Sequence, residues 1–295
     1  MPADWTSGTF LGRADFGEGP SPILVVHGEL LDMSAVVPTV SALVEAGDFS
    51  GRGGKNLGAF DVASVNLLSP VDLQCVKACG VTFATSAIER VIEERARGDW
   101  SAAAAIRERL ESRIGGQIRS VVPGSESAAQ LKAALIEDGL WSQYLEVAIG
   151  PDAEVFTKSP VLSTVGVGAE IGVRSDSSWN NPEPEIALLV GSNGQAVGAT
   201  LGNDVNLRDF EGRSALLLGK AKDNNASCSL GPLVRIFDDG FTIDDVRVAE
   251  VRLSITGEDQ FVLRGTSNMA EISRDPLDLV RQTLSEHHYP DGFVL

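Results

Sequence analysis

Residues 180–204 read Asn180-Asn-Pro-Glu-Pro-Glu-Ile-Ala-Leu-Leu-Val-Gly-Ser-Asn-Gly-Gln-Ala-Val-Gly-Ala-Thr-Leu-Gly-Asn-Asp204. Two short apolar runs, Ile186–Val190 and Ala196–Leu201, flank the turn residues Ser192-Asn-Gly194. An Asn-Gly pair between apolar runs is a strong short-range signal for a β-hairpin. The stretch therefore predicts two antiparallel strands of a sheet.

Three acidic residues gather at the open end of this hairpin. Glu183 and Glu185 are two positions apart, so an extended segment directs both side chains to one face. Folding the chain about Asn193 places Glu183 opposite Asn203 and brings Asp204 beside both glutamates. Such oxygen ligands, without histidine or cysteine, favour a hard divalent cation: Mg²⁺, with Mn²⁺ or Ca²⁺ as alternatives. The other interpretation is that the glutamates lie in solvent beside the proline turns.

The charge balance excludes several classes of partner. The 295 residues include 41 acidic and 24 basic side chains, which gives a formal net charge of −17. This charge repels phosphate backbones and anionic lipids, so neither a nucleic acid nor a membrane is an expected partner. No apolar run reaches the ~18 residues of a spanning helix, and the first residues lack the parts of a signal peptide. We expect a soluble, cytoplasmic protein.

Cysteine and histidine are scarce. Cys75, Cys79 and Cys228 form an odd, sparse set, which is not a disulfide framework. Cys75 and Cys79 have the spacing of half a metal site, but small buried apolar side chains are the simpler interpretation. The three histidines are few for Ser-His-Asp or Cys-His catalysis.

The distribution of patterns along the chain predicts an α+β protein. Residues 1–66 alternate short apolar runs with turns and predict a small α+β module, with a strand at Ile23–Val26 and a short helix at Val36–Val44. Apolar residues at helical spacing predict three helices between residues 86 and 136. From residue 154 onward, short β-branched runs predict a sheet. A late helix is expected after Asp275-Pro276.

Four sequence features together resemble the fumarylacetoacetate hydrolase family. They are the hairpin, Gly202-Asn-Asp-Val-Asn-Leu-Arg-Asp209, Lys222 followed by Ser227-Cys-Ser-Leu-Gly-Pro232, and Gly265-Thr-Ser-Asn-Met269. The resemblance covers residues 67–295, the expected catalytic domain. It implies a mixed β-roll with peripheral helices, assembled as a homodimer or a higher homo-oligomer.

The resemblance also implies roles for individual residues. Glu183, Glu185 and Asp204 match the metal ligands of the family. The matches to catalytic positions are Glu154, Lys222 and Glu89. The matches to substrate-binding positions are Arg208, Thr266, Lys158 and Ser86. Arg208 and Lys222 suit the carboxylate of a 2-oxo acid, because a guanidinium binds it through a planar fork and an ammonium acts as a point charge.

One departure from the family pattern points to the reaction. Hydrolases of the family carry Asn-Tyr-x-x-His-x-x-Glu, whose His and Glu activate water, whereas this chain has Thr82-Phe-Ala-Thr-Ser-Ala-Ile-Glu89. Glu89 is retained, but Ser86 replaces the histidine and offers no base at neutral pH. Together with Leu11–Pro20 and Trp141–Glu146, this stretch is more similar to the 2-keto-3-deoxy pentonate dehydratase branch.

The end of the sequence is the second departure. The chain stops at Tyr289–Leu295, at what resembles the start of a strand, whereas the family core continues with further β structure. We therefore expect the C-terminal part of the core to be missing, which would leave an unpaired sheet edge.

Three functions follow as hypotheses. The leading one is a divalent-metal-dependent lyase that dehydrates a 2-keto-3-deoxy sugar acid to a 2,5-dioxo acid semialdehyde. The second is a hydrolase or decarboxylase of acylpyruvate-like diketo acids. The third is a truncated, inactive remnant that binds partners or 2-oxo acids only.

Overall fold

A computed structural model describes residues 4–96, 100–114 and 121–295. Strands and helices are mixed along the chain, as the sequence predicts. The strands are β1 (Thr9–Asp15), β2 (Pro20–Val26), β3 (Glu29–Asp32), β4 (Lys55–Ala59), β5 (Asn66–Leu67), β6 (Cys75–Gly80), β7 (Glu154–Ser159), β8 (Asn180–Asn181), β9 (Pro184–Val190), β10 (Ala196–Asp204), β11 (Asn206–Leu207), β12 (Cys228–Ile236), β13 (Glu250–Thr256), β14 (Val262–Asn268) and β15 (Phe293–Val294). The helices are α1 (Val40–Ala46), α2 (Ala84–Ala96), α3 (Trp100–Ile114), α4 (Glu126–Glu137), α5 (Gln143–Ile149), α6 (Arg208–Glu211), α7 (Leu218–Lys222), α8 (Ile243–Arg247) and α9 (Pro276–Leu284), with 3-10 turns at Ala215–Leu217 and Met269–Glu271.

One large mixed sheet dominates the fold. Its strand order is β4-β3-β2-β1-β12-β10-β9-β15-β6-β7, and β5 pairs with β1. β8 pairs with β11 and β13 pairs with β14 in two separate two-stranded sheets. This architecture confirms the predicted α+β class with a large mixed sheet and peripheral helices.

The predicted hairpin is formed by β9 and β10, the central strands that carry the acidic residues. The turn closes as expected, because Asn193 Oδ1 accepts a hydrogen bond from the Gln195 N–H at 2.9 Å and Gly194 adopts a φ of 80°. Ala187–Val190 are buried at every position, which indicates that both faces of β9 are covered.

The register of the hairpin differs by one residue from the expectation. A bulge between Ala196 and Gly198 shifts the pairing, so that Asn203 lies opposite Pro184. The Asp204 N–H in turn donates to the Glu183 carbonyl at 2.9 Å. Glu183 therefore lies opposite Asp204 rather than Asn203, because a bulge adds one residue to one strand.

The chain divides into two compact units. The first contains Met1–Ala78, Thr157–Ser267 and Glu286–Leu295, and the second contains Cys79–Phe156 and Asn268–Ser285. β1 pairs with β12, so packing joins the N-terminal strands to the later sequence within the first unit. The compact units are defined by contacts within the folded chain, and their boundaries do not test a division of the sequence at residue 66. That division stays a prediction.

The hydrophobic core of the first unit contains residues from near both ends of the sequence. Its fully or almost fully buried members include Leu11, Leu24, Val40, Leu43, Val76, Leu189, Val234 and Val294. The predicted helix at residues 36–44 begins four residues later, at Val40. Thr39 caps it by accepting from the Ala42 N–H at 3.0 Å, and the buried Asp72 carboxylate accepts from the Val40 and Ser41 N–H groups.

The second unit is mainly helical, as predicted. Ser125 caps α4 by accepting from the Ala128 N–H at 3.2 Å, and Asp275 caps α9 with Pro276 at its first position. The buried apolar side chains of its core are Ala87, Val91, Ile92, Leu110, Ala128, Leu135, Leu140, Leu145, Ala148 and Ile149. None of the described helices is long and apolar enough to cross a membrane.

The C-terminal strand β15 lies inside the large sheet. Phe293 pairs with Val190 on one side and with Cys75 on the other. The last described residues are thus paired on both sides. The expectation that further core strands are missing beyond Leu295 stays a prediction.

Candidate active site

The three predicted metal ligands come together at one end of the hairpin. Glu183 directly precedes β9, Glu185 is its second residue, and Asp204 ends β10. One carboxylate oxygen of each lies within 4.8 Å of the others. The pairing of β9 with β10 therefore produces the cluster that the spacing predicts, with both glutamates on one face.

Two buried lysines contact these carboxylates. Lys222 Nζ donates to Asp204 Oδ2 at 2.6 Å and to Glu183 Oε2. Lys158 Nζ lies 3.0 Å from Asp204 Oδ1. The side chains of Lys222 and Lys158 are 5% and 1% exposed, so both charges act inside the protein, where water screens them little.

Burial and the neighbouring charges shift the pKa values of Glu185 and Lys222. Burial, followed by repulsion from Asp204, raises the pKa of Glu185 to about 8, although Lys222 opposes this shift. For Lys222, burial alone would lower the pKa, but Asp204 and Glu183 outweigh it and raise the pKa above its ordinary value. Lys222 is therefore charged at neutral pH, whereas Glu185 is held largely protonated.

The cluster fits a hard divalent cation. Its donors are carboxylate oxygens, which Mg²⁺, Mn²⁺ and Ca²⁺ prefer. Asp204 Oδ1 is buried and has no contact of hydrogen-bond geometry from the described residues, although Lys158 Nζ lies 3.0 Å from it. A carboxylate oxygen has two lone pairs, so one remains for a cation beside this ion pair. A soft, thiolate-binding metal does not fit, because burial first, and also Asp204 and Glu185, raise the pKa of the neighbouring Cys228 thiol to about 12.

Arg208 lies near the cluster on the short helix α6. Its Nη1 is 3.2 Å from Glu211 Oε2, and its guanidinium lies 5.8 Å from the centre of the Trp179 ring. The side chains of Arg208 and Glu211 are 17% and 14% exposed. The pair is thus mostly buried, unlike the ordinary surface salt bridge that contributes little.

Asn206 is a site residue that the sequence did not single out. Its side chain is fully buried, and its Nδ2 donates to Glu183 Oε1 at 3.0 Å and to Glu211 Oε2 at 2.5 Å. The signal was present, because Asn206 follows Asp204 by two positions and a strand directs such residues to one face. Asparagine carries no charge, however, so its position alone does not indicate a metal or catalytic site.

Two predicted substrate-binding residues, Lys158 and Thr266, do not present a free polar group beside the carboxylate cluster: the Lys158 ammonium binds other protein groups, and Thr266 is exposed on β14. Lys158 uses its ammonium on the Val205 carbonyl at 2.9 Å, on the Lys222 carbonyl and on Asp204. Thr266 lies on β14 and is exposed. Their assignment to substrate stays a prediction, and the geometry of Lys158 suits support of Asp204 and Lys222.

The remaining candidates lie in the second unit. Glu154 begins β7, and a Cβ placed on Gly80 would meet its Oε2 at 2.0 Å, so the Glu154 carboxylate occupies the space that glycine leaves. Ser86 is exposed on α2. On the same helix, the hydrogen bonds from Arg107, one of 2.7 Å from its Nη2, lower the pKa of Glu89. A lowered pKa makes Glu89 a weaker base.

Two curated proteins are similar to the chain in sequence. The chain is 33% identical over 159 residues to a probable 2-keto-3-deoxyxylonate dehydratase of Haloferax volcanii, covering 54% of each protein. It is 32% identical over 142 residues to 2-dehydro-3-deoxy-D-arabinonate dehydratase of Saccharolobus solfataricus, covering 48% of this chain and 47% of that protein. The chain thus spans about half the length of the curated relatives it matches. No protein-family model matches it.

Solved structures are similar over almost the whole chain. A structure of 2-keto-3-deoxy-D-arabinonate dehydratase complexed with magnesium and 2,5-dioxopentanoate aligns with a TM-score of 0.70 and 20% identity, covering 97% of this chain and 86% of that one. Fumarylacetoacetate hydrolase from Exiguobacterium antarcticum aligns with a TM-score of 0.60 and 15% identity, covering 97% and 84%. The chain therefore has the fold of these two enzymes, and its curated relatives in sequence are 2-keto-3-deoxy pentonate dehydratases.

Proposed function

We propose that the protein is a divalent-metal-dependent hydro-lyase that dehydrates a 2-keto-3-deoxy pentonate to a 2,5-dioxo acid semialdehyde. The observation that carries the proposal is the cluster of Glu183, Glu185 and Asp204, whose oxygens lie within 4.8 Å of one another. The names of the curated relatives and the magnesium and product in one structural neighbour support the same reaction.

The reaction removes a proton from C3 and the hydroxyl of C4 as water. The resulting double bond between C3 and C4 then tautomerises through enol forms: one C–H proton and the hydroxyl proton leave C5, one proton is added at each of C3 and C4, and the terminal alcohol becomes the aldehyde. When bound, Mg²⁺ supplies Lewis-acid chemistry that makes a proton next to the 2-oxo group more acidic. The protein has to hold the substrate carboxylate, move the protons and exclude competing water.

Arg208 is the proposed anchor for the substrate carboxylate. Its planar guanidinium offers two parallel N–H donors, which match the two oxygens of a carboxylate. Glu211 and the Trp179 ring fix the direction of the Arg208 side chain. A fixed anchor orients C3 of the substrate with respect to the base.

Lys222 and Glu154 are the proposed proton-handling residues. Lys222 stays protonated between Asp204 and Glu183, so it can stabilise the negative charge that develops on the 2-oxo oxygen. The role of Glu154 as a catalytic carboxylate, which acts as base or acid through water, rests on the resemblance of Ala153-Glu-Val-Phe-Thr-Lys158 to the dehydratase branch. On the same ground Glu89 stays a proposed catalytic residue, and Ser86, Thr266 and Lys158 stay proposed substrate-binding residues.

Hydrolysis of a carbon–carbon bond is the less favoured alternative. It requires a group that activates water, and in the resemblance of Thr82–Glu89 to the hydrolase stretch Ser86 takes the place of the histidine. A serine hydroxyl is not a base at neutral pH. Dehydration needs no added water, so the substitution does not affect it.

We also propose that the protein acts as a homo-oligomer in the cytoplasm. Apolar side chains are exposed on or next to the small β13–β14 sheet, namely Val248, Phe261, Val262 and Leu263, with 42–65% of their surface in solvent. Exposed apolar patches of this kind are typical of contact surfaces. Sedimentation velocity is the test of the oligomeric state, and a monomer at micromolar concentration would contradict it.

A substrate panel tests the proposed reaction. The full chain with Mg²⁺ is incubated with 2-keto-3-deoxy pentonates and with acylpyruvates, and the products are separated as semialdehyde or pyruvate. We expect semialdehyde from a pentonate, loss of activity with a chelator and recovery with Mg²⁺. Pyruvate from an acylpyruvate would support the hydrolase instead, and no product from either class would support the remnant.

A further inference from the structure

One buried side chain, Asn206, connects the carboxylate cluster to the ion pair between Arg208 and Glu211. Asn206 Nδ2 donates to Glu183 Oε1 at 3.0 Å and to Glu211 Oε2 at 2.5 Å. Glu211 Oε2 also accepts from Arg208 Nη1 at 3.2 Å. A continuous set of hydrogen bonds thus connects a proposed metal ligand with the proposed substrate anchor.

The orientation of the Asn206 amide follows from its neighbours. Both groups that it faces are carboxylates, which only accept hydrogen bonds when ionised. The reverse orientation would direct Oδ1 toward two other oxygens, so the amide nitrogen has to face them. On its other side, Oδ1 is buried and has no hydrogen-bond partner among the described residues. Asn206 thus makes two charge-assisted hydrogen bonds through Nδ2, while its buried Oδ1 lacks a hydrogen-bond partner among the described residues.

We propose that Asn206 is a positioning residue that sets the metal ligand Glu183 and the anchor Arg208 at a fixed separation. It orients the Glu183 carboxylate directly, and it orients Arg208 through Glu211. This inference rests on the proposed function, because a chelated 2-oxo acid has to reach the cation and the guanidinium together. Groups that orient metal ligands in this way affect both metal affinity and activity.

A purely structural role for Asn206 is the alternative, and the chain offers a matched control for it. Asn181 lies directly opposite Asn206 in the β8–β11 pair. It too has a buried Oδ1 without a partner among the described residues, and its Nδ2 donates to the Pro182 carbonyl at 3.1 Å rather than to a carboxylate. Asn181→Ala therefore disturbs the same strand pair without removing a bond to Glu183.

The experiment compares Mn²⁺ affinity, measured by titration calorimetry on the full chain, in wild type, Asn206→Ala and Asn181→Ala. We expect Asn206→Ala to bind Mn²⁺ about 10–100-fold more weakly, as is typical when a partner of a metal ligand is removed. Asn181→Ala should stay within about threefold of wild type, since the ligand shell keeps its bonds. The affinity for pyruvate, measured with saturating Mn²⁺, depends on the orientation of Arg208. Pyruvate should therefore also bind more weakly to Asn206→Ala.

A third variant separates the effect of Asn206 on Glu183 from its effect on Arg208. Glu211→Gln removes the charge beside Arg208 but keeps an oxygen for the Asn206 amide. We expect it to change pyruvate binding while Mn²⁺ affinity stays near wild type. If Asn206→Ala does not fold by circular dichroism, Asn206→Ser keeps one donor and should show a smaller loss of the same kind.

Three outcomes would overturn the inference. The first is unchanged Mn²⁺ affinity in the Asn206 variant that folds. The second is an equal loss in Asn206→Ala and Asn181→Ala, which would assign the effect to the strand pair. The third is absence of Mn²⁺ binding in wild type, which would overturn the metal site as well. The first two outcomes leave the proposed function standing, so the two failures are distinguishable.

Discussion

The Asp204 N–H donates to the Glu183 carbonyl at 2.9 Å, so Asp204, the last residue of β10, lies opposite Glu183, the residue just before β9. Opposed residues in an antiparallel pair direct their side chains to the same face. The bulge at Ala196–Gly198 produces this register. Without that extra residue, Asp204 would move one position along the strand relative to Glu183, and the geometry of the cluster would change.

The first prediction concerns the dependence of metal-free stability on pH. The pKa of Glu185 in the folded protein is about 8, above its ordinary value of 4.5. Between these values the folded state holds a proton that the unfolded chain releases. The contribution of Glu185 to stability is therefore fully present below pH 4.5 and is lost as the pH rises through about 8. The loss should be a few kcal/mol at most, on the order of 1–4 kcal/mol.

Denaturant unfolding of the metal-free protein at several pH values measures this effect. Glu185→Gln serves as the comparison, because the amide keeps the shape but does not titrate. The difference in unfolding free energy between variant and wild type should grow in favour of the variant from pH 5 to pH 8. A difference that is constant with pH would show that Glu185 has an ordinary pKa.

A second prediction concerns Lys222, which pairs with Glu183 and Asp204. Lys222→Met removes this counter-charge from the buried Asp204 and from Glu183, whose side chain is 27% exposed. Breaking the buried pair with Asp204 costs about 3–5 kcal/mol. We expect a lower melting temperature without metal, partial recovery with Mg²⁺ and a loss of turnover of ~10²-fold or more. Lys220→Met, at an exposed position on the same helix, is the matched control. Equal melting temperatures for the two variants would be incompatible with a buried ion pair.

A third prediction concerns Arg208. Arg208→Lys keeps the charge but loses the planar fork, so the substrate carboxylate is held less precisely. We expect kcat/KM to fall roughly 10–100-fold, or about 1.4–2.7 kcal/mol, while metal affinity changes little. Arg252→Lys, at an exposed position on β13, controls for the exchange itself. Near-wild-type turnover would reject the anchor role, and joint loss of metal and turnover would mean that Arg208 supports the ligands.

A fourth prediction concerns Gly80 and Glu154. A Cβ at position 80 would lie 2.0 Å from Glu154 Oε2 and 2.7 Å from its Cδ, so Gly80→Ala should displace the carboxylate, the flexible end of the side chain. If Glu154 is the base, a shift of about 1 Å should lower kcat by up to ~10²-fold. Mg²⁺ affinity should not change. Gly219→Ala adds a methyl group where no atom lies within 4 Å, and unchanged kcat in both variants would remove Glu154 from the reaction.

The sequence predicted most of the fold because its local signals agree with the packing. The Asn193-Gly194 turn, the Ser125 cap and the Asp275-Pro276 helix start all form as expected. The start of α1 was wrong by four residues, because its first N–H groups bind Asp72, more than thirty residues away in the chain. Contacts between distant residues leave no local pattern.

The same limit explains what was predicted of the site. The spacing of Glu183, Glu185 and Asp204 indicated the cluster, since neighbouring strands bring these positions together. The bulge was not predicted. Gly198 inside the strand is a general signal for a bulge, but it does not say whether or in which direction the register shifts. Asn206 was missed for a different reason. Its importance comes from two carboxylates that only the folded chain places around it.

The most direct test of the central claim is a crystal structure of the full chain with Mn²⁺, in which anomalous scattering locates the ion. We expect one ion per chain, bound at about 2.0–2.6 Å by an oxygen of each of Glu183, Glu185 and Asp204. An ion bound elsewhere, or no ion at saturating Mn²⁺, would contradict it.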